Sequence, residues 1–199
     1  MKKTGSLLMA FTFIASITFA QKEKKAEVEV EKINWLSFKD ATAQNKKKPK
    51  KIFIDTYTDW CGWCKRMDVT TFEDKEVVAI MNKYFYAIKF NAEGKDTILY
   101  NGKTYTNMNP TAPRGTHQLA VELLNGKLGY PTSVYLDEQM KLLQPIPGYM
   151  DAKSFKQVLI YFAEDYNKKM SWEDFRQNYD ELMKKKEVEP ESKKKKRNS

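Results

Sequence analysis

The chain has 199 residues, of which 41% are hydrophobic and 13% aromatic, so we expect a folded domain with a sizeable core. Its net charge of +9 comes mainly from the two ends, because Lys2 and Lys3 lie at the start and residues 184–199 hold eight basic residues against three glutamates. Because this charge is concentrated at the ends and the basic run at 193–197 has no aromatic residues among it, we do not expect a nucleic-acid-binding face.

Residues 1–20 have the pattern of a secretory signal peptide. Lys2 and Lys3 form a basic start, Ser6 to Phe19 is an uncharged and mostly apolar run, and Thr18-Phe19-Ala20 is a small-x-small cleavage pattern. The run is shorter than the roughly 18 residues that a membrane span needs, although an uncleaved membrane anchor stays an alternative. We therefore expect a cleaved, periplasmic or secreted protein without membrane contact.

The spacing of apolar residues predicts an alternating series of strands and helices. Strands are expected at Ala26–Leu36, Ile52–Thr58, Tyr86–Phe90, Thr132–Leu136 and Lys141–Pro145. Helices are expected from Ser37, from Cys64, around Val77 to Tyr84, at Thr116–Leu124 and at Ser154–Tyr166. These elements are assigned to one domain over residues 21–170.

Two segments look like additions to this domain. Residues 94–113 are predicted to be an insertion with a β-hairpin, because Asn101-Gly102 is a favoured pair for a type I′ turn. Ser171 to Asp174 has the pattern of a capping box, which predicts an additional C-terminal helix over residues 171–186. The lysine-rich residues 187–199 are predicted to be a disordered basic tail.

The chain has two cysteines, and both lie in the segment Trp60-Cys61-Gly62-Trp63-Cys64. A Cys-x-x-Cys pair can be half of a zinc site, a haem attachment site or a redox pair. A zinc site needs two further Cys or His ligands, whereas the chain has one histidine, His117, which we expect to be a surface or helix-capping residue. Lys65 stands where haem attachment needs a histidine. The redox pair is therefore the favoured interpretation, ahead of two cysteines packed as small core side chains.

The cysteine pair lies where a predicted strand ends and a predicted helix begins. Unpaired N–H groups and the positive end of the helix dipole stabilise a thiolate at such a place. Because the thiolate is the nucleophile in disulfide exchange, we expect Cys61 to attack a partner's disulfide. Cys64, one helical turn later, would then resolve the mixed disulfide.

Three short motifs carry a family resemblance. Trp60–Lys65 is Trp-Cys-Gly-Trp-Cys-Lys, Thr71–Asp74 is Thr-Phe-Glu-Asp, and Gly129–Thr132 is Gly-Tyr-Pro-Thr. Together with the order of elements over residues 26–167, these motifs resemble the thioredoxin family, and in particular secreted bacterial thioredoxin-like proteins. The resemblance implies an α/β thioredoxin fold, with a central mixed sheet flanked by helices, a β-hairpin insertion and an extra C-terminal helix.

The resemblance also implies roles for residues outside the cysteine pair. Pro131 would be the cis-proline that lies against the cysteines in the family, and Tyr130 would offer main-chain hydrogen bonds to a substrate peptide. Asp55 stands at the position of a buried acid whose raised pKa lets it relay the proton of Cys64. Lys89 stands at the position of a lysine that pairs with this acid.

Trp60, Gly62 and Trp63 complete the expected substrate contacts. Trp63 replaces the proline of reducing thioredoxins and the histidine of oxidases and isomerases, and the dipeptide between the cysteines tunes the reduction potential. The direction of electron flow therefore stays open at Trp63, while the acid–lysine pair of the resemblance favours a reductase.

The sequence thus predicts an exported thiol–disulfide oxidoreductase that exchanges disulfides with partner proteins, more as a reductase than as an oxidase. The dithiol is itself the redox group, so no cofactor or metal is expected. Electrons would pass to or from another exported or membrane redox protein. The alternative is a non-enzymatic thioredoxin-fold binding module, either a chaperone or a Cu(I) carrier, since soft thiolates suit Cu(I).

Overall fold

A computed structural model describes residues 31–186 of the chain. The predicted signal peptide at 1–20, the predicted tail at 187–199 and the predicted strand residues 26–30 lie outside the described residues. Among residues 31–186, no helix combines the length and the apolar character that a membrane crossing requires.

Strands and helices alternate along the described residues. The strands are β1 (Trp35–Leu36), β2 (Lys51–Tyr57), β3 (Phe85–Asn91), β4 (Ile98–Tyr100), β5 (Lys103–Tyr105), β6 (Thr132–Leu136) and β7 (Leu142–Pro147). The helices are α1 (Phe38–Lys47), α2 (Gly62–Thr70), α3 (Lys75–Tyr84), α4 (Gln118–Leu123), α5 (Ala152–Ala163) and α6 (Trp172–Gln177), with a 3₁₀ turn at Tyr166–Lys168. Apart from the first strand and the last helix, the predicted elements are confirmed with boundaries shifted by at most three residues.

Five strands form one mixed sheet in the order β1-β3-β2-β6-β7. β1, β3 and β2 pair in parallel, whereas β6 pairs antiparallel with both β2 and β7. Ile54 of β2 lies opposite Ile88 of β3 and Val134 of β6. Because β2 is central and both faces of the sheet are covered, its residues are buried from Lys51 to Thr56. The predicted α/β fold class, a central mixed sheet flanked by helices, is confirmed.

A hydrophobic cluster fills the space on each side of the sheet. Phe53 of β2 points to the side covered by α3, α5 and α6, and its neighbours Ile52 and Ile54 point to the side covered by α1 and α4. The first side is rich in buried aromatic residues, namely Phe72, Phe85, Tyr135, Phe155, Phe162 and Phe175. The second side is mainly aliphatic around Leu119, Leu123 and Val134.

The first strand is shorter than predicted in its described part. Only Trp35 and Leu36, within residues 31–36, pair with β3. Asn34 does not continue the strand, because its N–H donates to the side chain of Asn82 on α3 at 2.9 Å. The edge strand of the sheet is therefore only two residues long in this part of the chain.

The C-terminal helical region differs from the single helix predicted over 171–186. The Ser171 hydroxyl accepts the N–H of Asp174 at 3.1 Å and begins α6, in which Phe175 is fully buried. The helix is interrupted at Asn178, whose side-chain amide donates to the Asp174 carbonyl at 2.8 Å, and residues 179–186 are helical again. A side chain that bonds to the local backbone in this way competes with regular helix.

The predicted insertion at 94–113 contains the hairpin of β4 and β5. Asn101 and Gly102 at its tip have φ angles of 49° and 78°, as the two central residues of a type I′ turn require. The buried ring of Tyr100 joins the hydrophobic cluster beside α1 and α4, and its hydroxyl donates to the Met140 carbonyl at 2.7 Å. These contacts hold the hairpin against the domain.

Candidate active site

Cys61 and Cys64 lie just after β2, at the beginning of α2, and are joined by a disulfide in this structure, with their Cα atoms 5.3 Å apart. Cys61 is the N-cap residue of α2, and the exposed Gly62 is the first helical residue. The Cys61 Sγ accepts a hydrogen bond from the N–H of Cys64 at 3.1 Å. After reduction, that N–H and the helix dipole would stabilise a thiolate at Cys61.

Three charged side chains connect β2, β3 and α2. Asp55 and Lys89 are direct neighbours on parallel strands, and the Lys89 Nζ lies 3.0 Å from the Asp55 Oδ2. Lys89 also forms an ion pair with Asp68 of α2. The lysine thus bridges a buried carboxylate of the sheet and a partly exposed carboxylate of the helix that follows Cys61.

Burial dominates the electrostatics of Asp55, which is only 2% exposed. Desolvation raises the pKa of Asp55 to about 6, the charge of Lys89 opposes this rise, and the charge of Asp68 adds to it. Burial also disfavours the charged amine of Lys89, but the two carboxylates outweigh that effect and raise the pKa of Lys89 above its usual value. Lys89 is therefore a cation at neutral pH, whereas Asp55 can gain or lose a proton close to neutrality.

The sequence predictions do not include Asp68. It stands four residues after Cys64, so the two side chains share one face of α2. That spacing is the signal that could have identified Asp68 as a site residue. Its contact with Lys89 depends on how α2 packs against β3, and no local pattern carries that information.

Exposed aromatic side chains lie next to the cysteine pair. Trp60 and Trp63 are 51% and 56% exposed. The Trp60 Nε1 donates to the Glu93 Oε1 at 2.9 Å, and the ring of Trp60 meets the ring of Tyr130 edge-on with 6.1 Å between centroids. The ring of Trp63 lies 5.3 Å from that of Tyr149. Glu93 and Tyr149 thus join the predicted residues at this surface.

The loop before β6 brings Tyr130 to this surface, and its Tyr130–Pro131 peptide bond is cis. The Pro131 carbonyl accepts the N–H of Gly148 at 2.8 Å, and the Thr132 hydroxyl donates to the Gly129 carbonyl at 2.7 Å. By contrast, the main-chain N–H and C=O of Tyr130 form no hydrogen bond with any other residue between 31 and 186. These two groups are available to a bound peptide.

His117 is a buried helix cap. Its Nδ1 accepts the N–H of Leu119 at 3.1 Å at the start of α4, and its Nε2 lies 2.8 Å from the Asp96 carbonyl oxygen. Of the two expected positions, surface or helix cap, the structure shows the cap, and the ring is fully buried. In the described part of the chain, no three His, Cys, Asp or Glu side chains meet in a cluster that could hold a metal ion. The reduced sulfurs of Cys61 and Cys64 would be two soft ligands for Cu(I).

A family model described as a thioredoxin-like domain matches residues 38–163. The chain belongs to the thioredoxin-like family. The match runs from the first residue of α1 to the last residue of α5, and so includes the cysteine pair, the acid–lysine pair and the Tyr130–Pro131 loop. The Cys-x-x-Cys pair lies intact within this match, which agrees with the predicted enzyme class, a thiol–disulfide oxidoreductase.

Two curated relatives are named thiol:disulfide interchange protein DsbD. The protein from Photorhabdus laumondii is 28% identical over 128 residues, which are 63% of this chain and 18% of the relative. The protein from Yersinia enterocolitica is 27% identical over 164 residues, which are 77% of this chain and 25% of the relative. The chain therefore spans a quarter or less of the length of these relatives. A solved thioredoxin-fold protein from Helicobacter pylori is 18% identical, with a TM-score of 0.49 over 77% of this chain and 96% of that one.

Proposed function

We propose that the protein is exported and reduces disulfides of partner proteins, with the Cys61–Cys64 dithiol as the electron donor. The observation that carries this proposal is Asp55, a buried carboxyl with a pKa of about 6 in the strand that leads to the cysteines. The word interchange in the names of two relatives supports disulfide exchange, and the pattern of residues 1–20 supports export.

The proposed reaction uses the two thiols alone. The Cys61 thiolate attacks one sulfur of the partner's disulfide, so that a mixed disulfide forms and the other partner sulfur leaves as a thiolate. The Cys64 thiolate then attacks the Cys61 sulfur, which forms the Cys61–Cys64 disulfide and releases the second partner sulfur. Two electrons pass from the dithiol to the partner, and the two thiol protons end on the two partner thiols.

Asp55 is the proposed acceptor for the proton of Cys64 in the second step. With a pKa of about 6, its carboxyl is mostly ionised at neutral pH and can take a proton. Burial stabilises the neutral, protonated form of Asp55, so the carboxyl can accept the proton. Because its pKa is still close to neutrality, it can also release that proton afterwards. Lys89 and Asp68 act as positioning residues, because their ion pairs hold the charge next to Asp55.

The charges near Cys64 support a reductase rather than an oxidase. Strongly oxidising dithiol proteins have a stabilised reduced form, in which the thiolate is favoured. Here Asp68 lies on the Cys64 face of α2, and Asp55 is connected to it through Lys89. The two carboxylates outnumber the single amine, so this cluster does not supply the stabilisation of a thiolate at Cys64 that would favour an oxidant.

The main chain of Tyr130 is the proposed docking point for the partner's backbone. Its N–H and C=O have no partner within residues 31–186, so they can pair with an extended peptide as a neighbouring strand would. Trp60, Gly62, Trp63 and Pro131 complete the proposed contact surface, and the two exposed indoles give it apolar area.

The reduction potential of the Cys61–Cys64 pair tests the direction of electron flow. The protein would be equilibrated in glutathione buffers and its free thiols counted, with insulin reduction measured on the same sample. A potential near about −270 mV with insulin reduction is expected, whereas one near about −120 mV without it contradicts a reductase. Tight Cu(I) binding without insulin reduction would support the metal-carrier alternative.

Export is tested separately. The full chain would be expressed in a bacterium, the cells fractionated, and the N-terminus of the recovered protein sequenced. We expect a periplasmic or secreted product that begins at Gln21, directly after the predicted cleavage site. A cytoplasmic product that keeps residues 1–20 contradicts the proposed export.

A further inference from the structure

Two arginines lie against the tryptophans that border the cysteine pair. The Arg66 Cζ lies 5.2 Å from the ring centre of Trp63 and 5.5 Å from that of Tyr149. The Arg114 Cζ lies 4.7 Å from the ring centre of Trp60. At these distances a guanidinium group is attracted to the face of an aromatic ring. Both arginines are therefore part of the surface next to Cys61 and Cys64.

Asn107 holds the loop that carries Arg114. Its Nδ2 donates to the main-chain carbonyls of Glu93, Gly94 and Gly115 at 3.1, 3.0 and 2.6 Å. The backbone is packed so closely that a Cβ on Gly115 would lie 1.9 Å from a main-chain carbonyl oxygen of the same loop. Within this closely packed loop Arg114 has a φ of 63°, and it follows directly after the predicted insertion at 94–113.

Within the described residues, the two arginines have no directly bonded counter-ion. Neither guanidinium forms an ion pair with a carboxylate of residues 31–186. Two carboxylates lie close to this surface and keep their charge, because their donors are neutral: Glu93 accepts the Nε1–H of Trp60, and Asp59 accepts the side-chain amide of Asn91. Lys65 adds a third exposed positive charge.

We propose that Arg66 and Arg114 select partner segments that carry acidic residues next to the disulfide attacked by Cys61. This inference rests on the disulfide exchange proposed above and adds the class of substrate, an acidic disulfide-bearing peptide segment. A guanidinium can pair with a carboxylate through its edge while its face stays on an aromatic ring. The ring contacts also restrict each arginine before it binds, so less side-chain conformational entropy is lost on binding.

In this proposal the arginines change the rate at which the partner associates, and they take no part in the exchange of sulfur–sulfur bonds. The bonds that form and break are those of the exchange reaction, with the Cys61 thiolate attacking and a partner thiolate leaving. Exposed charges at the edge of an interface change mainly the association rate and its dependence on salt. A positive charge can also stabilise the Cys61 thiolate itself, so the informative quantity is a ratio of rates between two peptides and not a single rate.

Three synthetic peptides test the inference. Each has the same single disulfide loop, flanked by Glu, Gln or Lys, and is mixed with the full-length protein after reduction and removal of the reductant. We expect the Glu peptide to react about 5-fold faster than the Gln peptide at low ionic strength, and the Lys peptide to react most slowly. At about 0.5 M salt the three rates should converge.

Two variants connect this preference to the arginines. In Arg66→Gln/Arg114→Gln the Glu-to-Gln rate ratio should fall close to one. In Lys39→Gln/Lys46→Gln, a matched loss of two exposed positive charges on α1, it should keep its value. Equal rates for the three peptides, or an unchanged ratio in the double variant, overturn the inference and leave disulfide exchange intact. If none of the peptides is reduced by the folded protein, the inference and the proposed function both fail.

Discussion

Asp55 and Lys89 face each other on two parallel strands, with 3.0 Å between the carboxylate oxygen and the amine nitrogen. Lys89 reaches in the other direction to Asp68, which shares a helix face with Cys64. The charge state of a group inside the sheet is therefore coupled to the helix of the cysteine pair. Four of the predictions below change a member of this cluster or the cysteine next to it.

Replacing Asp55 by Asn should slow the reduction of insulin by about 10- to 100-fold, because Asn cannot accept the proton of Cys64. The pH profile should also lose the step that a group with a pKa of about 6 produces in the unmodified protein. Both effects are measured by steady-state turnover between pH 5 and 9. Asp59→Asn removes an exposed carboxylate near the site and serves as the control. An unchanged pH profile in Asp55→Asn rules out the proton relay.

The same substitution should increase stability at neutral pH. The pKa of Asp55 is raised from 3.8 to about 6 on folding, so the folded state binds the proton more tightly and loses stability as the pH rises through this window. The shift corresponds to about 3 kcal/mol at pH 7.5 and to little at pH 4. The free energy of unfolding is measured with denaturant on the oxidised protein. At pH 7.5 it should be higher for Asp55→Asn than for the unmodified chain by up to this amount, and at pH 4 the two should be nearly equal. Equal stabilities at both pH values contradict the raised pKa.

Lys89→Gln should destabilise the protein by about 2 kcal/mol at pH 7.5, because it leaves the buried carboxylate of Asp55 without its cation. In the Asp55→Asn background the same substitution should have a smaller effect, since there is no buried charge to leave unpaired. A double-mutant cycle in guanidinium chloride measures the difference. If the two effects are equal, the ion pair between Asp55 and Lys89 does not couple the two residues.

Cys64→Ser should trap disulfide-linked complexes with partner proteins, because Cys61 attacks and no resolving thiol follows. The complexes should appear as slower bands on non-reducing gels and disappear on reduction. Cys61→Ser is the matched control and should trap none, since the N-cap position favours the thiolate at Cys61. Complexes that form with Cys61→Ser and not with Cys64→Ser would reverse the assigned roles.

Asn107→Ala should loosen the loop that carries Arg114. The substitution leaves three carbonyls without their donor, for an expected loss of about 1–3 kcal/mol in the free energy of unfolding. The rate ratio between the acidic and the neutral peptide should fall as well, because Arg114 is no longer held at Trp60. Asn109→Ala removes an exposed side chain of the same loop and should change neither quantity. If stability falls while the ratio of the two peptide rates does not change, Asn107 has no role in partner selection.

Local patterns were sufficient for most of the fold. Asn101-Gly102 predicted a hairpin because its two residues accept positive φ angles more readily than others do. The continuous apolar run that ends at Tyr57 predicted a buried strand, and the helical pattern from Cys64 predicted the helix that follows it. The position of Asp55 beside Lys89 followed from the family resemblance, and the roles given to the two residues stay predictions.

Contacts between distant segments were not predictable in this way. Asp68 meets Lys89 because α2 lies over the sheet, and Arg114 meets Trp60 because Asn107 draws the loop inward. His117 was expected at the surface or as a helix cap, and its burial as a cap depends on the Asp96 carbonyl, which lies 2.8 Å from its Nε2. In each case the partner is many residues away in the sequence.

The presence of only two cysteines in the chain, both in the active pair, has a practical consequence. No other disulfide can form within the molecule, so neither wrong pairing nor scrambling competes with correct oxidation during folding. A reagent that counts thiols gives either two or zero per molecule and reports the redox state of the working site directly. The protein can also pass between its two redox forms without losing any crosslink that braces the rest of the fold.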